Sequence, residues 1–528
     1  MDWLLLAGFC GFLFFFGLSS FGLIGMDEPR YAQVAREMLA RHDWITPTLG
    51  GKPWLEKPVL YYWQAMLAYA VFGVSDWAAR LPSAVDATLM IAAIYLFLRR
   101  FCSGFELDGA LITASAAGVI GFARAASTDM PLAAAFTIAL LAWYVWQESG
   151  TKLFLALFYV FLGLGVLAKG PVAPILAAAI VVIFALAMRD ARMIWKTLWL
   201  PGILLFCAVV LPWYVAVQLR NPEFFRVFIL EHNFARFGTN LYHHKEAFWY
   251  YLPVVLLGLL PWTIFAVAAL TENIRAWWAD GCKPSPEDAL GILLVIWLVV
   301  PIVFFSISQS KLPGYILPAL PAATLLLSVY LRERVTSDAR SGTLGLVLHS
   351  AVAALTIVPA LMAGYIILQH RLPWGRAAEI SFSLAAVLFI VIVVVLRRFG
   401  LRLLRTVTLI PVLVAVSMGL RIGAPIADTT LSLRPVANEA ARLESKPLPL
   451  AIFLLPSEYE FGLQFYSNQA LGRYELGQIP AGEHLVIALE GLRARMAKRA
   501  AGRRVIYLGN FPAQHVDFYW VAAAGTGN

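Results

Sequence analysis

Charge is scarce in this chain: Asp, Glu, Lys and Arg supply only 14% of 528 residues, against 60% hydrophobic ones. A water-soluble protein of this size needs much more charge to cover its surface, so that class is excluded. Cysteine is scarcer still. The four residues Cys10, Cys102, Cys207 and Cys282 include no CxxC spacing, and so suggest neither a disulfide framework nor a thiolate zinc site. There is no convincing phosphate-cradling glycine loop, no internal repeat and no low-complexity tract. Two matching halves with ionisable groups at mid-membrane depth, the usual marks of a transporter, are also missing.

What the chain has instead is long apolar runs, with a mean hydropathy of +0.74. A bilayer core takes roughly 20 apolar residues per helix. By that criterion about thirteen segments qualify, near 3–25, 65–98, 105–122, 131–147, 153–168, 171–188, 198–219, 249–270, 289–307, 315–331, 343–368, 378–396 and 406–423. The first has no basic leader and no small-residue cleavage site before Asp27, so it reads as a retained helix rather than a signal peptide. Arg99-Arg100, Arg189/Arg192/Lys196, Arg275/Lys283, Arg332/Arg334/Arg340 and Arg397/Arg398/Arg402/Arg405 fall on one side of these spans, which positive-inside counting makes cytoplasmic only if the charge of the two long loops on the other side, 26–64 and 220–248, serves a function. On that condition the long loops 26–64 and 220–248 are outer loops. The expectation is a polytopic α-helical membrane region over 1–423, with residues 424–528 outside.

After Arg421 the composition changes. Short β-like runs at 450–455, 484–489, 504–508 and 516–522 alternate with helix-like stretches at 434–443 and 491–501. This alternation predicts a small α/β domain, with about 100 residues to form its own core.

The most informative stretch runs from Met26 to Trp63. The acidic pair Asp27-Glu28 follows the first apolar segment immediately, and a Glu56-Lys57-Pro58 step closes the loop. Charges at a membrane surface are costly unless solvated or paired, so they mark a polar site facing water or headgroups. Tyr31, Val34, Ala35, Met38 and Leu39 share one helical face, with Pro29 near the start, which predicts an interfacial helix. The segment with Leu60, Tyr61, Trp63, Met66 and Leu67 is similarly amphipathic. Two such helices would carry the acidic pair and Lys57 towards each other.

Three motifs, DEPRYA, the DW-TP-GGKPWLEKPVLYYW run and SQSKLPGYILPALP, resemble the bacterial aminoarabinose (lipid A) transferases. That family has the GT-C fold and is related to the protein O-mannosyltransferases. The resemblance implies about thirteen helices, a long catalytic first outer loop and a small extracytoplasmic C-terminal domain. It implies transfer of a sugar from a polyprenyl phosphate donor, at the outer face of the bacterial inner membrane, to a lipid A phosphate. Asp27 matches the family's catalytic acidic position. It would act as base for a hydroxyl acceptor, or position groups and stabilise positive charge if the acceptor is an ionised phosphate. A cap on the following helix is the plain alternative. Asp129 matches a second acidic position, with N-capping of a helix near Pro131 as its plain alternative.

For the leaving phosphate the resemblance offers Lys57 first, with Lys311 and Lys169 also in the family motif; Arg236 is the second choice on its own chemistry, and Tyr315 could add a hydroxyl donor. Arginine grips phosphate bidentately, whereas lone lysines at helix ends more often snorkel. Arg30, Tyr31 and Glu28 would line the substrate path. Glu56 and His232 match positions that hold a divalent cation in related enzymes, with His243 and His244 nearby, but no zinc-helix spacing accompanies them. No cofactor is obligatory. The loop 220–248 is expected to move and close over the donor. The partners expected are a polyprenyl-linked sugar, a surface acceptor and membrane lipid, with no nucleic acid. Within enzymes the alternative is a protein O-glycosyltransferase or another surface-glycan transferase. A transporter or flippase is the remote one, because the sharpest charges cluster at outer helix ends.

Overall fold

The computed structural model describes residues 1–235, 246–279, 281, 287–337, 342–358, 374–444, 446–500 and 502–524. Among them seven helices are long and apolar enough to cross a bilayer: Asp76–Phe101, Asp129–Ser149, Lys152–Lys169, Leu200–Arg220, Ala289–Ile307, Pro313–Thr336 and the long Gly375–Leu431 stretch. Two further pairs pass only when taken together, because each is bent: Glu106–Ala114 with Ala117–Ala123 by 64°, and Tyr251–Gly258 with Thr263–Ala279 by 115°. Asp2–Phe15, Val172–Ala187 and Thr343–Leu355 are shorter apolar helices.

Two compact units divide the chain. The first comprises Met1–Phe16, Leu55–Tyr61 and Arg80–Gly419; the second comprises Gly17–Trp54, Tyr62–Ala79 and Leu420–Asn528. The expected boundary at 423 placed the whole loop 26–64 with the helical region. The compact units instead group most of that loop with the C-terminal residues.

In the first unit, Asp129–Ser149 and Lys152–Lys169 form a tight helical hairpin. Its turn is Gly150, at φ +68°, the left-handed C-cap that glycine adopts without a Cβ penalty. The two bent pairs meet at their breaks. The Ala117 N–H donates to the Leu260 carbonyl at 2.9 Å, and the Trp262 indole N–H donates to Ser115 Oγ at 3.0 Å. Backbone groups freed by a bend in an apolar medium need such partners. A hydroxyl pair, Thr113 to Thr324 at 2.7 Å, ties one break to the Leu320–Thr336 helix, whose first twelve residues are all buried.

In the second unit, a short hairpin, β1 (Thr48–Leu49) and β2 (Lys52–Pro53), turns at Gly50-Gly51, both at positive φ as a two-residue turn requires. A five-stranded sheet follows: β3 (Leu450–Phe453), β4 (Gly472–Arg473), β5 (His484–Leu489), β6 (Val505–Phe511) and β7 (Val516–Val521), in the order β4-β3-β5-β7-β6. The three strands at the β4 side are parallel, and β7 and β6 are antiparallel. Successive side chains alternate between faces. Leu450, Ile452, Leu485 and Ile487 pack on one face with Val436 and Leu463; Ala451, Phe453, Val486 and Ala488 pack on the other with Met496 and Tyr519. Burial of both faces explains the continuous apolar runs in sequence. Helices occupy Arg434–Leu443, Ser457–Ser467 and Arg493–Arg499.

The Asp27–Ala40 helix belongs to this second unit. Tyr31, Val34, Ala35 and Met38 are buried as expected, but so are Ala32 and Gln33. Protein therefore covers more of it than the single stripe of an interfacial helix. Leu67, expected on the apolar face after Pro58, is 57% exposed. That helix, Leu60–Phe72, ends before Gly73 at φ +77°, which separates it from Asp76–Phe101.

Candidate active site

The first unit gathers one set of the anticipated residues. Asp129 is the first residue of its helix, behind Thr128 at the cap, so its carboxylate is not the N-cap that the sequence alternative required. A carboxylate in the first turn still gains from the helix dipole. It forms an ion pair with Lys169 Nζ, and the two side chains are only 17% and 11% exposed. The same ammonium lies 4.6 Å from the ring centroid of Tyr315, a cation–π distance. Lys169 is thus largely covered and committed, not a snorkelling interfacial lysine.

The turn that carries Tyr315 is built for close approach. A Cβ on Gly314 would fall 2.5 Å from Asp129 Oδ1 and 2.9 Å from Phe122 Cε1, so only glycine fits against the carboxylate. Tyr251, which the sequence did not single out, fastens this turn. Its hydroxyl accepts the Leu312 N–H and donates to the Leu312 carbonyl, each at 3.3 Å. Lys311 is 6% exposed and donates to the Ser308 carbonyl at 2.6 Å. Glu56 and Lys57 are half-buried in the bend before Leu60, each already engaged in an interaction. Arg124, just ahead of Ser127–Asp129, donates to the Leu13 carbonyl at 3.0 Å. Burial, with Arg80 close by, lowers its guanidinium to about 10, which leaves it charged at neutral pH.

The second unit gathers another set. Asp27, the first residue of its helix, pairs through Oδ1 with Arg30 Nη2 one turn on; the side chains are 49% and 12% exposed respectively. The Arg30 guanidinium lies 5.0 Å from the Trp54 ring, 5.3 Å from Tyr31 and 5.7 Å from Phe461. Glu28 turns away: it is buried, and its Oε2 accepts the Ile24 N–H at 2.9 Å. Glu37, also missed from sequence, holds the hairpin. Its carboxylate accepts from Thr48 Oγ1 at 2.8 Å, the Gly50 N–H at 2.8 Å and the Gly51 N–H at 3.1 Å. The GG in GGKPW was the available signal, since two glycines at positive φ need an anchor.

Arg236, His243 and His244 lie outside the described residues, as does the side chain of His232. The described part of the 220–248 loop includes a π-helical segment, Phe225–Ala235. Among the described residues no group of three or more His, Cys, Asp or Glu side chains gathers as a metal site.

Chemically, each unit offers a carboxylate paired with a cation that itself lies against an aromatic ring. A carboxylate oriented in this way suits a site that meets developing positive charge.

Comparison with known proteins adds the following. A family model described as dolichyl-phosphate-mannose-protein mannosyltransferase matches residues 56–215. The undecaprenyl phosphate-alpha-4-amino-4-deoxy-L-arabinose arabinosyl transferase of Edwardsiella ictaluri is 33% identical over 59% of this chain and 56% of its own length. The protein of the same name in Pseudomonas aeruginosa is 32% identical over 63% of this chain and 60% of its own. The matched part of the chain thus spans less than two thirds of these relatives' length. In three dimensions the chain is similar to ArnT from Cupriavidus metallidurans bound to undecaprenyl phosphate, with TM-score 0.77 and 23% identity, covering 99% of this chain and 98% of that one. It is also similar to an oligosaccharyltransferase from Archaeoglobus fulgidus, with TM-score 0.52 and 11% identity, covering 99% and 74%. The resemblance to the aminoarabinose transferases stands, and the fold is GT-C.

Proposed function

We propose that this protein is a glycosyltransferase that moves a sugar from a polyprenyl phosphate to a phosphate of lipid A at the outer face of the bacterial inner membrane. The observation that carries the reading is the likeness in fold, over essentially the whole chain, to a transferase crystallised with undecaprenyl phosphate. The relatives' shared name supplies the sugar, 4-amino-4-deoxy-L-arabinose. As architecture we propose thirteen spans. The seven long helices count as eight when Gly375–Leu431 is read as two, and the bent pairs and the three shorter helices supply the rest. Residues 424–528 would then face the periplasm.

The reaction breaks the bond from the anomeric carbon to the donor phosphate oxygen, and the electron pair leaves with polyprenyl phosphate. The new bond forms from an acceptor phosphate oxygen to the same carbon. That oxygen is already ionised, so no proton must move, and Asp27 serves to orient groups and stabilise positive charge at the sugar. Lys57, Lys311 and Arg236 are the cations assigned to the departing phosphate, with Tyr315 as hydroxyl donor. Lys169 acts by holding Asp129.

The test is lipid A mass spectrometry with polymyxin sensitivity in cells with the protein, without it, and with Asp27→Asn. A sugar-sized mass present only with the unaltered protein supports the reading. Unchanged lipid A in all three refutes this acceptor. The mannosyltransferase match over 56–215 favours a protein acceptor as the second reading, and a sugar lost from secreted proteins in the same strains would establish it.

A further inference from the structure

The C-terminal helix Ser457–Ser467 packs along the Asp27–Ala40 helix and touches it or its lead-in segment at three levels. Near its middle, the Phe461 ring faces the Arg30 guanidinium at 5.7 Å. One turn further, the Phe465 carbonyl accepts from Arg36 Nη1 at 2.9 Å. Carbonyls in a last helical turn lack partners within the helix, so a guanidinium there is well placed. Tyr466 then accepts the Leu23 N–H at 2.6 Å and donates to Asp76 Oδ1 at 2.7 Å. On another side of the same helix Gly462 lies close against Leu433, where a Cβ would fall 2.7 Å from Leu433 Cβ.

These contacts matter because of what Arg30 does. Asp27 is half exposed and pairs with Arg30, so its carboxylate direction follows that of the guanidinium. Arg30 in turn is directed by Trp54, Tyr31 and Phe461, whose ring faces attract the cation. Tyr31 is its own neighbour and Trp54 lies beyond the hairpin; Phe461 alone of the three comes from the C-terminal region.

We propose that Phe461 is a positioning residue for transfer: it fixes the Arg30 guanidinium and, through it, the carboxylate of Asp27. The inference rests on the reading of Asp27 as the catalytic carboxylate. It places the Ser457–Ser467 helix in the active-site machinery.

The experiment uses the full-length protein in detergent with Phe461→Leu, which keeps apolar bulk without a ring face, and Phe461→Tyr, which keeps the face. Transfer from the lipid-linked sugar to lipid A is measured alongside phenylglyoxal labelling of Arg30, read by peptide mass spectrometry. Phe461→Leu is expected to lower kcat about tenfold with KM unchanged, the rate equivalent of one partly desolvated cation–π contact. Arg30 labelling should rise severalfold, and Phe461→Tyr should restore both. Unchanged Arg30 labelling in Phe461→Leu overturns the proposal whatever the activity. So does a raised KM at unchanged kcat, which would mark direct substrate contact, and so does increased labelling with unaltered kcat. Absence of transfer from the unaltered protein refutes the proposed function instead; labelling then still decides whether Phe461 fixes Arg30.

Discussion

Gly314→Ala tests whether the Asp129–Lys169 pair depends on the turn beneath it. The added methyl would sit 2.5 Å from Asp129 Oδ1, 2.6 Å from Asp129 Cγ and 2.9 Å from Phe122 Cε1, where ordinary contact begins at 3.4 Å. Something must move by close to an ångström. Phe122 lies in the last turn of the Ala117–Ala123 helix, and Tyr251 fixes the turn that carries Gly314 through Leu312. The carboxylate is the group the methyl meets first, and any displacement of it strains the pair with Lys169. Overpacking of this kind costs about 1–3 kcal/mol, and misplacing a reacting group by an ångström lowers turnover by about 10²-fold.

The assay is a double-mutant cycle on thermal unfolding in detergent, with Gly314→Ala, Asp129→Ala and the pair, plus transfer rates for Gly314→Ala. Removing the carboxylate removes the obstacle, so Gly314→Ala should cost far less in the Asp129→Ala background, with a coupling of about 1–2 kcal/mol. Additivity within about 0.5 kcal/mol would mean that the methyl is accommodated without disturbing Asp129. An unchanged transfer rate would remove Asp129 orientation from the chemistry.

Two further outcomes are expected. Glu37→Ala leaves the Thr48 hydroxyl and the Gly50 and Gly51 amides without their acceptor; local opening of the hairpin should become about 2 kcal/mol easier, or roughly thirtyfold faster hydrogen exchange at those glycines. Exchange at the unaltered rate would show that the β1–β2 pairing alone holds the turn. His484 is fully buried, and burial lowers its imidazole below the ordinary 6.5; the Gly482 carbonyl opposes this and Arg503 adds to it. Its Nδ1 donates to the Gly482 carbonyl at 2.7 Å, so Nε2 is left to accept from the Tyr474 hydroxyl. With the folded-state value depressed, the stabilisation is present above about pH 6.5 and lost as pH falls. Thermal unfolding should therefore shift down between about pH 7.5 and 5.5, and His484→Gln should flatten that limb. An equal acid shift in both proteins would assign the loss to other groups.

Asp129, Lys169 and Tyr315 could each be named from motif position, but not their convergence. Pairing between residues on different helices depends on the hairpin at Gly150 and the seating of the Gly314 turn, which no local pattern encodes. Hydropathy located the apolar stretch at 105–122 and the one at 249–270. It could not show that each is bent at a break, because a window average is blind to where backbone hydrogen bonds stop. In the tail, the apolar runs around 450, 484 and 516 were legible because strands buried on both faces need unbroken apolar sequence. The Ser457–Ser467 helix was not read. It opens on SEYE, carries Gly462 where helix propensity is poor, and buries residues on more than one side. Its importance for Arg30 was therefore equally hidden.

The grouping of residues 17–54 with 420–528 has its own physical cause, visible in a few of the chain's rare charges. Arg434 donates to Asp76 Oδ2 at 2.8 Å, pairs with Asp428 Oδ2 at 2.9 Å and donates to the Ser19 carbonyl at 3.1 Å. Asp428 Oδ1 accepts the Gly22 N–H at 2.7 Å, and Ile24 bridges to Ser432 as a short antiparallel pair. Asp76 is 8% exposed and satisfied by Arg434 and Tyr466 together. A buried carboxylate that lost either donor would carry a penalty of several kcal/mol, so these contacts stand or fall as a set. They converge on Ser19–Ile24, the segment that enters the Asp27 helix. A cut at residue 423 would strip this segment of Asp428, Ser432, Arg434 and Tyr466 at once, removing the Asp428 acceptor of the Gly22 amide and the Tyr466 acceptor of the Leu23 amide. The composition break at Arg421 therefore marks where the apolar spans end, and not where the structure supporting Asp27 begins.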